Sequence, residues 1–389
     1  NDRGGIDLFN ESFEKWCINQ GYVELAPSPL IRNDNHLFTF SPFEDLEDNY
    51  LEEKRFKGFK VQDCFRNVFP QNLVNPLSTP LQKLVSIHDF SFSDSLGELK
   101  NCVNGFLIDE LGLNETDVYY IIPDDASVVA LFGDNQISEE KTIVIDKNRL
   151  VCKLPFDGIH YYIKVIYAYK GGVVTVANFV LVNYQKKNFQ LDSVIYPERI
   201  KMIMDDGDFL YDLKIYEKCR DEFFIKIIDD KRTFNFVLGN LNAIDHLRRL
   251  VFESNNKQGY TLKRLEKELF QECLTKEIDF EQMMTVFCQN GVVDGNCRDY
   301  FSEREKKFVK NKRQCLRTLK KRLKSVKIVD EALFNVLHGE LGCTKEDVIS
   351  TCETLGIKNE IKKEAIQQRF AFYYEKSKNT MTDPKNQYC

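Results

Sequence analysis

Two hydrophobic periodicities divide the chain. Over residues 22–196, short runs of β-branched and aromatic residues are separated by turn-forming residues, which is typical of strands. After Pro197 the apolar positions recur at helical spacing, most clearly at Leu316, Leu319 and Leu323, with basic residues on the opposite side. The pattern predicts an α+β fold in the first part and an all-α second part.

The first part predicts a helix and then an antiparallel sheet flanked by helices. The opening helix ends at Gly21, and 59–66 with 84–92 predict a hairpin that has a long tip. A helix is predicted over 96–111. Further strands are predicted at 118–122, 142–145, 161–169, 173–184 and 189–194.

The change of periodicity also predicts a domain boundary. A chain of 389 residues is too long for one ordinary core. The mixed segment DEFFIKIIDDKR, residues 221–232, leads from the strand-rich part into the helical part. We therefore predict two domains, over 1–228 and 229–389.

Charge is distributed unevenly along the chain. The net charge is −6, yet residues 301–327 contain twelve Lys or Arg against two Glu. A basic stretch in an acidic protein suits a nucleic-acid partner. From charge alone, however, the first interpretation is a solvated helix face.

Other compositional signals mainly exclude functions. The twelve cysteines form no CxxC pair, and no histidine stands at a spacing that completes a zinc site. The longest apolar run, over 173–182, is too short for a bilayer. No charged-then-apolar leader opens the sequence. We expect a cytoplasmic protein with no metal site of its own and no membrane or DNA partner.

Five segments, in order, carry a resemblance to a known family. Residues 27–66 (PSPLIRNDNHLFTFSPFEDLEDNYLEEKRFKGFKVQDCFR) are similar to motif 1 and the start of motif 2 of alanyl-tRNA synthetase, a class II aminoacyl-tRNA synthetase. IHDFSFSD (87–94) resembles the returning strand of motif 2, and 176–203 resembles motif 3 with the strands before it. The segments 254–269 and 334–372 resemble the tRNA-recognition helices. The likeness spans about residues 8–375.

The resemblance implies an ATP site. Arg66 stands where the family's motif 2 arginine binds the α-phosphate and the amino-acid carboxylate. Arg199, preceded by Glu198, stands where the motif 3 arginine holds the γ-phosphate. Separating phosphates need cations, and the planar guanidinium suits them. ATP is therefore the expected co-substrate, and the need for Mg²⁺ is left open.

The same resemblance implies an amino-acid site and an RNA surface. Asp192 matches the carboxylate that pairs with the substrate's α-ammonium, while Val180 and Asn183 belong to the strand beside the alanine pocket. Side chains expected to contact tRNA are Asn255, Asn256, Lys263, Arg264, Lys320, Lys321 and Arg322. The expected partners are alanine or a small analogue, and tRNA.

Several positions depart from the family. Residues 67–71 contain no cation, Val194 and Tyr196 replace glycines before motif 3, and Lys164 stands near an expected acid. Because nothing in 1–389 resembles the family's editing and C-terminal domains, we expect a truncated paralogue that lacks both. Three functions follow. The first is ATP-dependent activation of alanine or another small amino acid, with transfer to tRNA or another acceptor. The second is an inactive pseudo-synthetase that binds tRNA, an amino acid or a protein. The third is a regulator that binds a free amino acid or a protein partner, with Asp192 used in the absence of ATP.

Overall fold

A computed structural model gives the fold of this chain. It describes residues 4–32, 37–52, 54–66, 77, 79–90, 97, 102–154, 157–183, 190–254 and 256–361. Asn255, the 67–71 loop and the end of the family-like segment beyond 361 lie outside the described residues. None of the described helices is both long enough and apolar enough to cross a bilayer.

The described elements follow the strand-then-helix order. The strands are β1 Val23–Glu24, β2 Phe56–Phe65, β3 Leu81–Phe90, β4 Val118–Pro123, β5 Thr142–Ile145, β6 Val151–Cys152, β7 His160–Tyr169, β8 Gly172–Val182, β9 Gln190–Ile195, β10 Ile328–Val329 and β11 Lys358–Asn359. The helices are α1 Gly4–Asn19, α2 Glu47–Leu51, α3 Ala126–Asp134, α4 Pro197–Met204, α5 Glu217–Lys226, α6 Lys231–Leu247, α7 Lys257–Thr275, α8 Phe280–Gln289, α9 Arg298–Leu323, α10 Glu331–Leu341 and α11 Lys345–Leu355, with a π-helix at Cys102–Glu110.

Nine strands form one mixed, mainly antiparallel sheet. Its order is β1-β2-β3-β9-β8-β7-β4-β5, with β6 paired to β7. The β2–β3 hairpin pairs over its whole length, from Phe56 opposite Phe90 to Phe65 opposite Leu81. The outer pairs β1–β2 and β4–β5 are parallel. The α+β fold class predicted from the sequence is confirmed, and the two parallel edges are additions to it.

One face of the sheet carries an apolar core. Its odd-numbered positions in β2, β3 and β9 include Phe59, Ile87 and Leu191, which are fully buried. Helix α1 covers this face with Phe13, which meets the Phe59 ring edge-on with 6.0 Å between centroids. Burial of one such ring contributes about 1.5–3 kcal/mol.

The opposite face buries polar side chains instead. Lys60 is 1% exposed and its Nζ lies 2.5 Å from Asp45 Oδ1. Gln62 accepts a hydrogen bond from the Ser28 amide at 2.6 Å and donates one to the Ser28 carbonyl at 2.8 Å. Buried polar groups of this kind cost free energy unless they are paired. Several paired polar groups of this kind, interspersed with apolar residues, make this face a candidate for a binding site.

The helical part has its own core, which reaches into the sheet. Helices α5 to α9 share a cluster that includes Phe223, Phe234 and Phe287. Leu30 and Phe65, from before and within the sheet, join this cluster. A separate cluster joins the end of α9 to α10 and α11. Helix α5 contributes Phe223 to the helical core, so residues already join this core just before position 228. The domain boundary at 228 stays a prediction.

Candidate active site on the polar face of the sheet

A row of four side chains crosses the middle of the polar face. His88 of β3 pairs with Asp192 of β9, Asp192 pairs with Val180 of β8, and Val180 pairs with Tyr162 of β7. Residues paired across neighbouring strands project to the same face. The sheet register therefore places the predicted ammonium ligand between a histidine and the wall of a small apolar cluster.

Asp192 is buried and lies at the end of a polar chain. Its Oδ1 is 2.7 Å from His88 Nδ1, and His88 Nε2 is 2.8 Å from Ser86 Oγ. Ser86 and His88 are fully buried, and Asp192 is 4% exposed. The Asp192–His88 angles do not complete a hydrogen bond, so Oδ1 still lacks one among the described residues. The carboxylate therefore retains hydrogen-bonding capacity for a donor.

Tyr162 and Cys152 form the far wall of the site. Val180 and Cys152 belong to an apolar cluster that also includes Phe90. Burial raises the pKa of the Tyr162 hydroxyl, and a hydrogen bond with Cys152 raises it further, while the positive charge of Arg66 lowers it. Asp192 acts on the same hydroxyl in the opposite sense to Arg66. Tyr162 thus lies within electrostatic reach of both predicted ligands.

Arg66 follows the last residue of β2 and carries an unused donor. Its amide donates to the Pro80 carbonyl at 2.7 Å, which extends the β2–β3 pairing by one residue beyond Phe65 and Leu81. Its guanidinium lies over the Phe40 ring, with 4.1 Å from Cζ to the centroid. The Nε atom is buried and has no hydrogen-bond partner among the described residues. A buried charged donor without a partner is costly, and an anion would satisfy it.

Arg199 is held in the first turn of α4. Pro197 opens this helix, and the Arg199 guanidinium lies over the Tyr196 ring at 4.1 Å. Nη1 donates to the Thr175 carbonyl at 3.0 Å and Nη2 to the Leu77 carbonyl at 3.3 Å. Burial lowers the pKa of Arg199, and the positive charge of Arg66 lowers it further. The two guanidinium groups are therefore close enough to repel each other, which favours binding of an anion near them.

The Glu198 carboxylate is bound to the neighbouring strand β3. Its Oε1 accepts a hydrogen bond from the Lys83 amide of β3 at 3.1 Å. Burial raises the pKa of Glu198 to about 6, against the lowering effects of that hydrogen bond and of Lys83 and Arg199. Glu198 thus links α4 to β3, and its predicted role in ATP binding stays a prediction.

The side chains that replace the family's glycines line the same face. Tyr196 accepts a hydrogen bond from Asn178 Nδ2 at 2.6 Å and is 6% exposed. Val194 and Tyr196 form a small cluster with Cys64 and Leu84. Lys164 pairs with Asn178 in the sheet register, so it shares this face as well. The Val194 and Tyr196 side chains leave less open surface beside Arg199 than glycines at these two positions would.

Asn183 lies just beyond the end of β8, and its amide donates to His160 Nδ1 at 3.0 Å. Its side chain is half-buried. The structure thus brings Arg66, Asp192, Val180 and Arg199 to one face and places Asn183 at the rim of that face.

His88 was missed as a site residue. Lone histidines are usually structural, and the sequence gives no partner beside it. One feature of the sequence could have indicated it. Side chains alternate between the two faces of a strand, so Ser86 and His88, two residues apart, must share a face. Its partner Asp192, 104 positions away, is visible only in the sheet register.

The predicted RNA contacts lie in the helical part. Asn256 is the N-cap position of α7, while Lys263 is exposed and Arg264 Nε is 3.4 Å from Glu268 on the same helix. Lys320 and Lys321 are exposed near the end of α9, and Arg322 pairs with Glu340 of α10.

A pocket of about 390 Å³ opens between α7, α9 and the end of α10. Its lining includes residues from both segments that resemble the family's tRNA-recognition helices, 254–269 and 334–372. Its lining residues include Glu253, Lys263, Glu266, Lys267, Phe270, Arg304, Lys307, Phe308, Asn311, Lys312, Cys315, Leu341 and Gly342. Among the lining side chains, five cations face two carboxylates. Lys267 and Lys307 were not singled out from the sequence.

No family model matches the chain, and no curated protein matches it either. Similar solved structures include asparaginyl-tRNA synthetase from Pyrococcus horikoshii complexed with asparaginyl-adenylate, with a TM-score of 0.33 and 10% identity over 53% of this chain and 65% of that one. Entamoeba histolytica asparaginyl-tRNA synthetase gives a TM-score of 0.33 and 12% identity over 53% and 64%. The chain spans less than two thirds of either structure's length. Likeness at this level carries no argument about activity, and the α+β assignment rests on the sheet itself.

Proposed function

We propose that this chain is a class II aminoacyl-tRNA synthetase-like protein that activates alanine or another small amino acid with ATP. The product is an aminoacyl-adenylate, whose acyl group passes to tRNA or to another acceptor. The observation that carries the proposal is the buried Nε of Arg66, which has no hydrogen-bond partner among the described residues, while the charge of Arg66 also acts on Arg199. Two cations and one carboxylate are the charges that this reaction requires.

The proposed chemistry uses these groups in fixed roles. Asp192 accepts hydrogen bonds from the α-ammonium and so aims the substrate carboxylate toward Arg66. A carboxylate oxygen attacks the α-phosphorus, the bond to the bridging oxygen of pyrophosphate breaks, and pyrophosphate leaves with the electron pair. Arg66 neutralises charge on the α-phosphate, and Arg199 does so on the leaving group. Val180 and Tyr162 limit the side-chain space, which favours a small amino acid.

The donor set fits a polyphosphate but offers little to a metal. Among the described residues, no group of three or more His, Cys, Asp or Glu side chains is placed to hold an ion. A Mg²⁺ ion accompanying ATP would then be bound mainly through phosphate oxygens and water, as this ion commonly is. Arg66 and Arg199 supply protein charge in either case.

We also propose tRNA as the partner of the helical part, through the cations of α7 and α9. A catalytic domain over 1–228 and an RNA-recognition domain over 229–389 match this division of roles. A cytoplasmic location is supported by ten described cysteine side chains, all of them free thiols, which suit a reducing compartment.

Amino-acid-dependent exchange of pyrophosphate into ATP tests the proposal. Alanine and other small amino acids should support exchange, and Arg66→Ala should reduce its rate by about 100-fold or more. Arg55→Ala is the matched control, because Arg55 is exposed just before the same strand. Absence of exchange with every standard amino acid would contradict activation of these substrates.

A specific observation favours the second function, a pseudo-synthetase. Val194 and Tyr196 fill part of the polar face beside Arg199, where a nucleotide base needs room. Calorimetry separates the two. ATP binding that is lost in Arg199→Ala supports the enzyme, whereas no ATP binding supports the binding module. Binding of an amino acid without ATP, lost in Asp192→Asn, would indicate the regulator.

A further inference from the structure

One face of α7 presents an aromatic ring followed by two lysines. Tyr260, Lys263 and Lys267 are three and four residues apart, so they lie above one another along the helix. All three are exposed, Tyr260 by 52%. The two lysines line the pocket between α7 and α9. The helix thus leads from an exposed ring into a cationic pocket.

A second ring stands at the entrance. Phe252 is 96% exposed, and the next residue, Glu253, lines the pocket. The loop is held against α7, because a Cβ at Gly259 would collide with the Phe252 carbonyl oxygen and with Ser254. Ser254 Oγ also donates to the Asn256 carbonyl at 2.7 Å. The fold therefore holds the backbone of Phe252 against Gly259, the residue that precedes Tyr260 in α7.

Part of the pocket's positive charge is not neutralised. Arg304 pairs with Glu253 and Glu266, and Lys312 Nζ lies 2.5 Å from Asp347 Oδ2.

Within the part of the chain that the structure describes, Lys267 Nζ forms no ion pair and has a long contact, 3.4 Å, to the Gly342 carbonyl. Lys307 is exposed and has no carboxylate within ion-pair distance among the described residues. These two ammonium groups, from facing helices, remain available for an anion.

The pocket also has an apolar wall. Phe270 and Phe308 pack with 5.8 Å between ring centroids, and Leu341 closes the far side. A volume of about 390 Å³ lies in the range of sites that take small organic ligands, roughly 300–1,000 Å³. The pocket therefore has cations beside an aromatic and apolar surface. This combination suits a nucleotide, because its phosphate is anionic and its base is flat and apolar on its faces.

We propose that this surface binds unpaired RNA, with bases stacked on Phe252 and Tyr260 and phosphates held by Lys267 and Lys307. The inference rests on the proposed RNA binding of the helical part and names the form of RNA that it takes. Stacking on exposed rings requires splayed bases, whereas paired RNA is bound through its backbone and minor groove. The excess of cations favours RNA over an apolar protein partner.

The full chain should be titrated against a fluorescent 12-nucleotide single-stranded RNA and a blunt RNA duplex of the same length. The single strand should bind more tightly, and Phe252→Ala should weaken its binding by about tenfold. Lys267→Gln with Lys307→Gln should reduce the salt slope of log Kd by about 1.4, as expected for two lost phosphate contacts. Ile225→Ala and Lys218→Gln on α5 are matched controls, because both residues are exposed on another helix.

Three results would overturn the inference. Equal or tighter binding of the duplex would assign the surface to paired RNA. Single-strand binding unchanged by Phe252→Ala would remove the stacking role while leaving RNA binding by the helical part intact. No binding of either RNA at low salt would remove both, and pyrophosphate exchange would still test the sheet site separately.

Discussion

Asp192 and His88 face each other across strands β9 and β3, with 2.7 Å between Oδ1 and Nδ1. Ser86 Oγ is hydrogen-bonded to the other ring nitrogen at 2.8 Å, which holds the imidazole beside the carboxylate. The carboxylate that we propose as the ammonium ligand is therefore oriented by a histidine that makes no proposed contact with the substrate. Orientation of a ligand by such a neighbour is a property that mutation can test.

Replacement of His88 by Ala should weaken amino-acid binding through Asp192. The carboxylate would lose its neighbour and its fixed direction, at a cost of about 1–3 kcal/mol in unfolding free energy. The KM for the amino acid in exchange should rise while the KM for ATP changes little. Asp192→Asn should raise the amino-acid KM further, by about 10-fold to 150-fold. Equal changes in both KM values would show a general loss of structure instead.

Arg199→Lys should reduce ATP affinity although the charge is kept. Lysine cannot donate to the Thr175 and Leu77 carbonyls in the same fork, and it stacks less well on Tyr196. We expect the ATP KM to rise by about tenfold or more, measured in the exchange assay. Arg55→Lys, outside the site, serves as the control. An unchanged ATP KM would remove Arg199 from the phosphate site.

Ionisation of Glu198 should lower the free energy of unfolding as the pH rises from about 4.5 to 6. Its pKa is raised to about 6 by burial, from an ordinary 4.5, so the folded state holds this proton longer than the unfolded state. Its contribution is complete below pH 4.5 and is lost as pH rises through 6. Glu198→Gln should therefore be more stable than the wild type at pH 7, by about 2 kcal/mol at most.

Urea unfolding of both proteins between pH 4 and 8 measures this difference. The gap should open between pH 4.5 and 6 and stay constant above that range. A gap that is already present at pH 4 would point to a packing effect rather than to ionisation.

Lys312→Met should destabilise the end of the helical part. Lys312 and Asp347 are 8% and 9% exposed at their side chains, and removal of the cation leaves a buried carboxylate. We expect a loss of about 3–5 kcal/mol in urea unfolding. Lys312→Met with Asp347→Asn should recover part of the loss, because the neutral amide needs no counter-ion. Lys320→Met, exposed on the same helix, should change stability little.

The sheet was predictable because its strands alternate clearly. The hairpin predicted at 59–66 and 84–92 is found at Phe56–Phe65 and Leu81–Phe90, and the later strands shift by only a few residues. The 96–111 helix appears, among the described residues, as a π-helix at Cys102–Glu110. Periodicity reports which face of a strand is buried, and that information is local.

Ion pairs between residues far apart in the chain could not be predicted from the sequence. The basic run over 304–327 predicts a solvated or phosphate-binding face, yet Lys312 within it is buried against Asp347, and Arg304 is neutralised by Glu253 and Glu266. A charge pattern gives the sign of a surface but not its partners. The resemblance to alanyl-tRNA synthetase implied Arg66, Asp192 and Arg199 together, whereas the neighbours of Asp192, His88 and Val180, are known only from the sheet register.

The side chains of the adjacent residues 65 and 66 lie in different surroundings. Phe65 packs in the helical core and stacks near Phe38 at 4.4 Å between centroids, whereas Arg66 reaches the polar face. Gln258, in the first turn of α7, also donates to the Arg32 carbonyl at 2.7 Å. Because Phe65 and Arg66 are adjacent in the chain, we expect a displacement of α7 by a bound macromolecule to shift the Arg66 guanidinium. We expect nucleotide affinity and RNA affinity to depend on each other, by the same factor in both directions.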